Sequence, residues 1–495
     1  MGDEIKNNSP EYFGAELESN IEIVRSMFKN DDTVVFRQVT NLYRSDFKCY
    51  VIFADGMTDN IAINNNVVRP LTTTQLPAAR LSEELISNIV TCGEIAAETL
   101  VEKVIRGILK GDTVLFTQGI PGALLLNTKG GSVRSVTEPQ TEKNLMGPRD
   151  GFTEQMTVNI SLLRRRIQTS DLKFELQNIG LRTNTRVCVI YLESIVNKNI
   201  LEELKRRLEK IDIDAVLDSN YLDECIKDHP YSPFKTIGRT EKPDIAAAKI
   251  LEGRVVILVD GTPIALTVPY LFVENFQSND DYYINYIFST IIRFLRVLGC
   301  FLTIVLPAVY IALVNFHHEM IPGLLLINVA KSTANIPLTS VMEVAIMLIL
   351  FELLRETGVR MPSAVGQALS IVGALVFGQA AISAGIVSNI IVIVMALTGT
   401  TTLLVPRMNG AVIVCRILLI IFAGIIGLFG VYFGFMLIFI HLLSIESFGV
   451  FYLTGFGAST VQRTKDIFVR LPMWMQKDRP PFVRRDKRRR SNVER

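Results

Sequence analysis

The sequence predicts a two-part protein: a mixed α/β soluble region made of two subdomains, followed by an all-α bundle of several membrane-spanning helices. Three observations carry that expectation. Charged residues recur up to about residue 286, and beyond it come apolar stretches of about 18 or more residues, enough to cross a hydrocarbon core of roughly 30 Å. Between residues 15 and 270 short β-rich runs alternate with amphipathic helical patterns. Gly147-Pro-Arg-Asp-Gly151 punctuates the soluble region where a polar stretch gives way to a new helix. The resulting division is an N-terminal segment (1–30), a first α/β subdomain (31–146), a second (147–284), a transmembrane helical domain (285–445) and a basic C-terminal tail (446–495).

At 495 residues the chain is too long for one compact domain, and its averages of 49% hydrophobic and 20% charged residues hide the two regimes. The acidic start Met-Gly-Asp-Glu-Ile-Lys lacks an apolar core, so no cleavable secretory signal is expected, and Lys6 stands where myristoylation wants Ser or Thr. Six cysteines occur singly with no C-x-x-C, which indicates neither a disulfide framework nor a zinc site. The net charge of +2 is uninformative, but the tail ends Arg484-Arg-Asp-Lys-Arg-Arg-Arg490. Beside a membrane domain such a run reads as a cytosolic anchor near anionic lipid rather than as a nucleic-acid site.

In the soluble region, strands are expected around Thr33–Phe36, Tyr50–Phe53, Thr113–Phe116, Arg186–Tyr191 and Val255–Val259. Helices are expected over Leu81–Glu94, Ala97–Leu109, Glu154–Ile167 and Leu201–Ile211. The segment from Gly111 to Leu124 echoes that from Gly253 to Leu266 at Gly, Val, Gly, Pro, Ala and Leu. Each reads as strand, tight turn, strand. Hairpins reuse these residues by chance, so the echo is either a structural repeat or a coincidence.

No enzyme is expected: G-x-G-x-x-G after a strand, the P-loop, G-x-S-x-G and H-E-x-x-H are all missing, and only four histidines exist. His317-His-Glu319 lacks the further ligands a metal needs and reads as a loop after a span. Asp244, following Pro243 at a helix start, and Asp260, in a turn, are explained by capping and turn roles. No cofactor is expected.

The first span is expected from Ile287 to Val314, with Tyr282, Tyr283 and Tyr286 at the interface and Arg293 and Arg296 snorkelling. Gly323 to Lys331 is too short and polar to span and fits an interfacial helix. A second span, Pro337 to Leu354, carries Glu352, pairing with Arg355, and Glu343, whose depth calls for a partner or water. In the next stretch Gln367, Ser370, Ala374, Gly378 and Ala381 form a small, polar stripe that either packs helices or lines a water-filled path. Ala411 to Leu443, with Gly424, Gly427, Gly430 and Gly434, is one tilted span or two.

The chain resembles the A subunits of the GerA family of spore germinant receptors. The resemblance rests on Gly147-Pro-Arg-Asp-Gly-Phe-Thr-Glu154, Asn159, Leu163-Arg-Arg-Arg-Ile167, Thr240-Glu-Lys-Pro-Asp244, Ala248-Lys-Ile-Leu-Glu-Gly-Arg254 and Val259-Asp-Gly-Thr-Pro263. It continues through Phe276-Gln-Ser278, Phe351-Glu-Leu-Leu-Arg-Glu356, Gly366-Gln-Ala368, Gly373-Ala-Leu-Val376, Gly378-Gln-Ala-Ala381 and Ser447-Phe-Gly449, in order from about Lys29 to Pro481. It implies a multi-pass protein of the endospore inner membrane, working with a permease-like B subunit and a lipoprotein C subunit. It also implies self-association, as a pentamer, into a ligand-gated cation channel; the rival reading is a non-conducting scaffold that couples the permease-like partner to another channel. Under the channel reading Gln367, Ser370, Ala374 and Gly378 line the pore, and Glu343 attracts cations or locks the closed state. Asp244, Arg254, Asp260, Gly261 and Pro263, close in sequence to the membrane entrance, either couple the soluble region to the membrane or, the blander role that takes the larger share, hold their hairpin together.

Overall fold

A computed structural model describes residues 11–77, 82–130, 139, 142, 146–334, 336–360, 373, 376–454 and 469–475. Its soluble region contains two antiparallel five-stranded sheets. The first comprises β1 (Val34–Thr40), β2 (Lys48–Ala54), β3 (Ile95–Glu98), β4 (Thr113–Thr117) and β5 (Ala123–Leu126), in the order β1-β2-β4-β5-β3. The second comprises β6 (Leu172–Ile179), β7 (Thr185–Leu192), β8 (Gly238–Thr240), β9 (Val255–Val259) and β10 (Ala265–Val268), in the order β6-β7-β9-β10-β8. The two orders are the same once the strands are counted from the start of each copy.

The echoed hairpins are therefore β4-β5 and β9-β10, equivalent pieces of two copies of one topology. Their glycines match in conformation as well. Gly111 and Gly253, where the chain leaves a helix for a strand, have φ of 91° and 94°, and the turn glycines Gly119 and Gly261 have φ of 84° and 87°. Only glycine occupies that region without strain, which is why these positions survive in both halves of the echo.

Each sheet carries helices on both faces. Helix α1 (Leu17–Met27) and α2 (Val101–Lys110) bury Leu17, Ile21, Val24, Val104 and Ile108 against Ile52, Val114 and Phe116. The other face, with Cys49, Val51 and Leu115, is covered by Ile63, Val67, Leu71 and Ile86. In the second copy α3 (Met156–Arg166) pairs with α5 (Pro243–Leu251) on one face, and α4 (Lys198–Glu209) covers the other with Leu204 and Leu208. One expected helix is corrected. Ala97 does not begin a helix, because Ile95–Glu98 pairs as an edge strand with β5 and helix α2 starts only at Val101. The helix-favouring Ala96, Ala97 and Glu98 lose to sheet pairing.

The copies are docked through a buried ion pair. Arg164 on α3 is 0% exposed and places Nη2 3.1 and 2.9 Å from the two carboxylate oxygens of Asp31. Arg164 also lies over the Phe174 ring, and the Asp32 carboxylate accepts from Leu176 N at 2.7 Å.

Among the described residues the part that follows is mainly helical, with α6 (Tyr286–Phe316), α7 (Gly323–Thr333), α8 (Ser340–Arg360), α9 (Asn389–Thr402), α10 (Asn409–Ile426) and α11 (Leu428–Ser444). Helix α6 and Pro406–Ile426 are long and apolar enough to cross a membrane, and α9 and α11 are shorter apolar helices. Large apolar side chains, among them Phe294, Leu298, Ile417, Ile421, Phe429 and Phe433, stand exposed along α6, α10 and α11. The stretch from Ala411 to Leu443 is two helices, broken at Gly427 (φ 70°, ψ −141°). That glycine packs on Phe316 and His317 at the distal end of α6, so α10 descends beside α6 and α11 returns.

Candidate coupling site at the membrane junction

The segment leaving β10 passes a cis Val268-Pro269 bond and a short 3₁₀ turn, Phe272–Phe276, before entering α6. Here Arg254, 3% exposed, directs Nη1 to Pro269 O and to Glu274 Oε1, both at 2.5 Å, and Nε to Glu252 Oε2 at 3.2 Å. Lys249 Nζ donates to the other Glu274 oxygen at 2.7 Å, and Leu271 N donates to Oε1 at 2.7 Å. Two cations of the second copy, Lys249 in the last turn of α5 and Arg254 just before β9, thus converge on one carboxylate of the linker. Burial alone raises the Glu274 carboxyl, but Arg254 and Lys249 overcome it and hold it below the usual carboxylate range.

Asp244, in the first turn of α5, makes the neighbouring tie. Its Oδ2 accepts from Asn279 Nδ2 at 2.6 Å and from Tyr283 Oη at 2.9 Å. Burial and the Asp244 carboxylate push the Tyr283 phenol up to about 12. One turn further, Asp281 is fully buried and accepts from Arg293 Nε at 2.8 Å and from Arg296 Nη1 at 2.9 Å. These arginines therefore clamp the first turns of α6 onto the linker instead of snorkelling.

Two further contacts join the helical part to the soluble part. Arg407, just before α10, donates to Glu142 Oε1 at 2.8 Å, while Glu142 Oε2 accepts from Thr240 Oγ1 at 2.7 Å. Beyond α11 the chain forms a hairpin of Glu446–Ser447 with Val450–Phe451. Ser447 Oγ accepts from Tyr270 N at 3.1 Å and donates to Thr236 O at 2.7 Å, and Phe448 is buried in the core of the second sheet under Arg207. The second copy thus grips the entry to α6, the start of α10 and the exit from α11.

The five residues expected to couple are divided by the structure. Asp244 and Arg254 sit at the junction. Asp260, Gly261 and Pro263 form the turn at the other end of β9, about 16 Å away for five residues of strand. There Asp260 Oδ1 accepts from Met156 N at 3.1 Å and Gly261 N donates to Glu154 O at 2.8 Å. The turn caps α3 and lies on the groove between the copies, beside Asp32, Asp55 and Arg186.

Among the expected membrane residues, Glu343 is 1% exposed and accepts from Ser388 N at 2.9 Å, so its carboxylate caps the start of α9, where the helix dipole favours negative charge. Gly378 is buried, and a Cβ added there would meet Val392 at 3.7 Å, an ordinary contact. Gln367, Ser370 and Ala374 lie outside the described residues, as does the basic run from 484 to 490. Glu352 forms the expected pair with Arg355 at 2.6 Å. Sequence reasoning missed Glu274, Asp281, Glu142 and Arg407, the partners at the junction. Among the described residues no cluster of three or more His, Cys, Asp or Glu is placed to hold a metal.

A duplicated α/β unit thus holds the entry and the exit of an apolar helical section, the arrangement of a membrane-associated subunit with a large extramembrane region. The family model for the Bacillus/Clostridium GerA spore germination protein matches residues 22–482. The chain belongs to this family. Among its relatives are spore germination protein KA of Bacillus subtilis (strain 168), 38% identical over 96% of this chain and 88% of that protein, and spore germination protein GerLA of Bacillus cereus, 35% identical over 94% and 96%. An uncharacterized membrane protein of B. subtilis, YfkQ, is 38% identical over 96% of this chain and 93% of its own length. The crystal structure of the N-terminal domain of the A subunit of the Bacillus megaterium spore germinant receptor GerK3 matches with 31% identity and a TM-score of 0.42, covering 53% of this chain and 97% of that one. The family and the two long apolar helices point to a membrane protein.

Proposed function

We propose that this chain is the A-type subunit of a germinant receptor in the inner membrane of the endospore, and that copies of it assemble, as a pentamer, into a cation channel. Its partners are a permease-like B subunit and a lipoprotein C subunit. The large N-terminal region and the basic tail lie on the cytosolic side, in keeping with the entry to α6 and the exit from α11 meeting at the same soluble unit. The observation that carries the reading is the double grip of the second α/β copy, through Glu274, Asp281 and Ser447, because a shift of that unit must move α6 and α11 together. Conduction follows the stripe of Gln367, Ser370, Ala374 and Gly378, with Glu343 holding the closed packing of α8 on α9.

The test is potassium efflux from liposomes containing the full-length chain with its partner subunits. Gly378→Ala should conduct as the parent does, since its Cβ fits, whereas Gly378→Leu should change the flux by at least about tenfold. An assembled ring that never conducts would leave the chain as a scaffold for another channel.

A further inference from the structure

Arg416 lies in the second turn of α10, about 10 Å along the axis from Asn409. It is 1% exposed, and none of its guanidinium nitrogens has a hydrogen-bond partner among the described residues. Across from it on α8, both carboxylate oxygens of Glu352 are buried and equally lack a well-formed hydrogen bond. Glu352 Oε2 lies 2.6 Å from Arg355 Nη2, one turn along its own helix, and Oε1 lies 3.8 Å from Arg416 Nη2. That last separation falls within reach of an ion pair but beyond that of a hydrogen bond. Buried polar groups are nearly always satisfied, and a charge inside an apolar helix bundle needs a partner more than any other.

We infer that Glu352 is shared between Arg355 and Arg416, and that Arg416 is a positioning residue whose charge-assisted bond to Glu352 draws α8 onto α10. The surroundings suit such a closure. Toward the other end of the same helix pair, Val344 packs with Leu419 and Ala423, and Gly424 admits Val341 so closely that an added Cβ would stand 3.2 Å from its Cγ2. Among the described residues the two helices are thus joined by apolar contact at one end and by the Arg416–Glu352 charges at the other. The pair needs only a small approach to reach hydrogen-bond distance, and Arg355 remains to hold the carboxylate when it opens.

A double-mutant cycle on the full-length chain purified in detergent tests this, because the three charges predict an unusual pattern. Glu352→Gln leaves Arg416 as an uncompensated buried cation, whereas Arg416→Gln leaves Glu352 with Arg355. Removing the second charge should therefore rescue the first loss. The thermal midpoint is expected to be lowest for Glu352→Gln and higher again for Glu352→Gln/Arg416→Gln. Helix position is read separately by the rate of disulfide trapping between Val341→Cys and Gly424→Cys, mapped by mass spectrometry. Trapping is expected to slow by about tenfold in Glu352→Gln and to recover in the double variant. Additive losses in the cycle, or a trapping rate indifferent to both charges, would overturn the inference. Neither readout involves ion flux, so the channel reading stands or falls apart from it.

Discussion

Replacing Glu274 by Gln removes the anion on which the junction converges. Arg254 and Lys249 would then share Glu252 alone, at 3.2 and 3.8 Å, with Arg254 only 3% exposed. Taking one partner from a buried pair costs roughly 3–5 kcal/mol, because the remaining charge stays desolvated. At about 1.4 kcal/mol per tenfold, the folding equilibrium of the second α/β copy should fall by a factor of about 100 to a few thousand. Equilibrium urea unfolding of the full-length chain in detergent, followed by the fluorescence of its tyrosines and single tryptophan, measures the loss. The pH dependence supplies a second check. The folded carboxyl lies below its unfolded value of 4.5, so its contribution is fully present above that pH and disappears as pH falls through the lower folded value. The Gln variant should lack this acid limb, and its stability gap from the parent should close at low pH. A gap below about 1 kcal/mol at pH 7 would refute the view that this network holds the junction.

Three further outcomes follow from the same geometry. Ser447→Ala leaves Tyr270 N and Thr236 O buried without their partner, and should cost about 1–3 kcal/mol and raise proteolysis at the hairpin after α11. Tyr283→Phe removes the 2.9 Å bond to Asp244 at a half-exposed position; it should cost about 1 kcal/mol and abolish the phenol that titrates near 12 in ultraviolet absorbance. Gly430→Ala would place a Cβ 2.0 Å from Phe422 O, a backbone atom that cannot step aside. That variant should lose at least about 3 kcal/mol, or fail to accumulate in membranes, which immunoblotting would show.

What could be read in the sequence followed from local pattern. The echo of Gly111 to Leu124 in Gly253 to Leu266 left a repeat and a coincidence both open, and the common strand order of the two sheets, with matched positive-φ glycines at the turns, decides for the repeat. Asp244 and Arg254 stood out because they belong to short motifs near the membrane entrance. Their partners were silent, since nothing local links Glu142 to Arg407 across 265 positions or Ser447 to Tyr270 across 177. The placement of the Asp260 turn was misread for the same reason: proximity in sequence to Arg254 hid the length of β9. Arg416 could have been found, as an isolated cation within the apolar run from Val412 to Ile426.

The arrangement of grips also indicates where the helical part would yield. The second α/β copy holds α6 through Asp281, and Ser447 joins the exit of α11 to it, while Arg407 ties the start of α10 to Glu142. Helix α8 is bound instead to α9, through Glu343 and Ser388, and α9 meets α6 at the 2.7 Å contact of Thr303 with Thr401. If the soluble unit acts as a lever, α6, α10 and α11 travel with it, and α9 goes with α6, against which it is packed. The shear then falls on the contacts of α8, which include Glu343 with Ser388 and Arg416 with Glu352. Polar pairs at such a boundary have discrete made and broken states, whereas apolar packing alone would slide without registering a change.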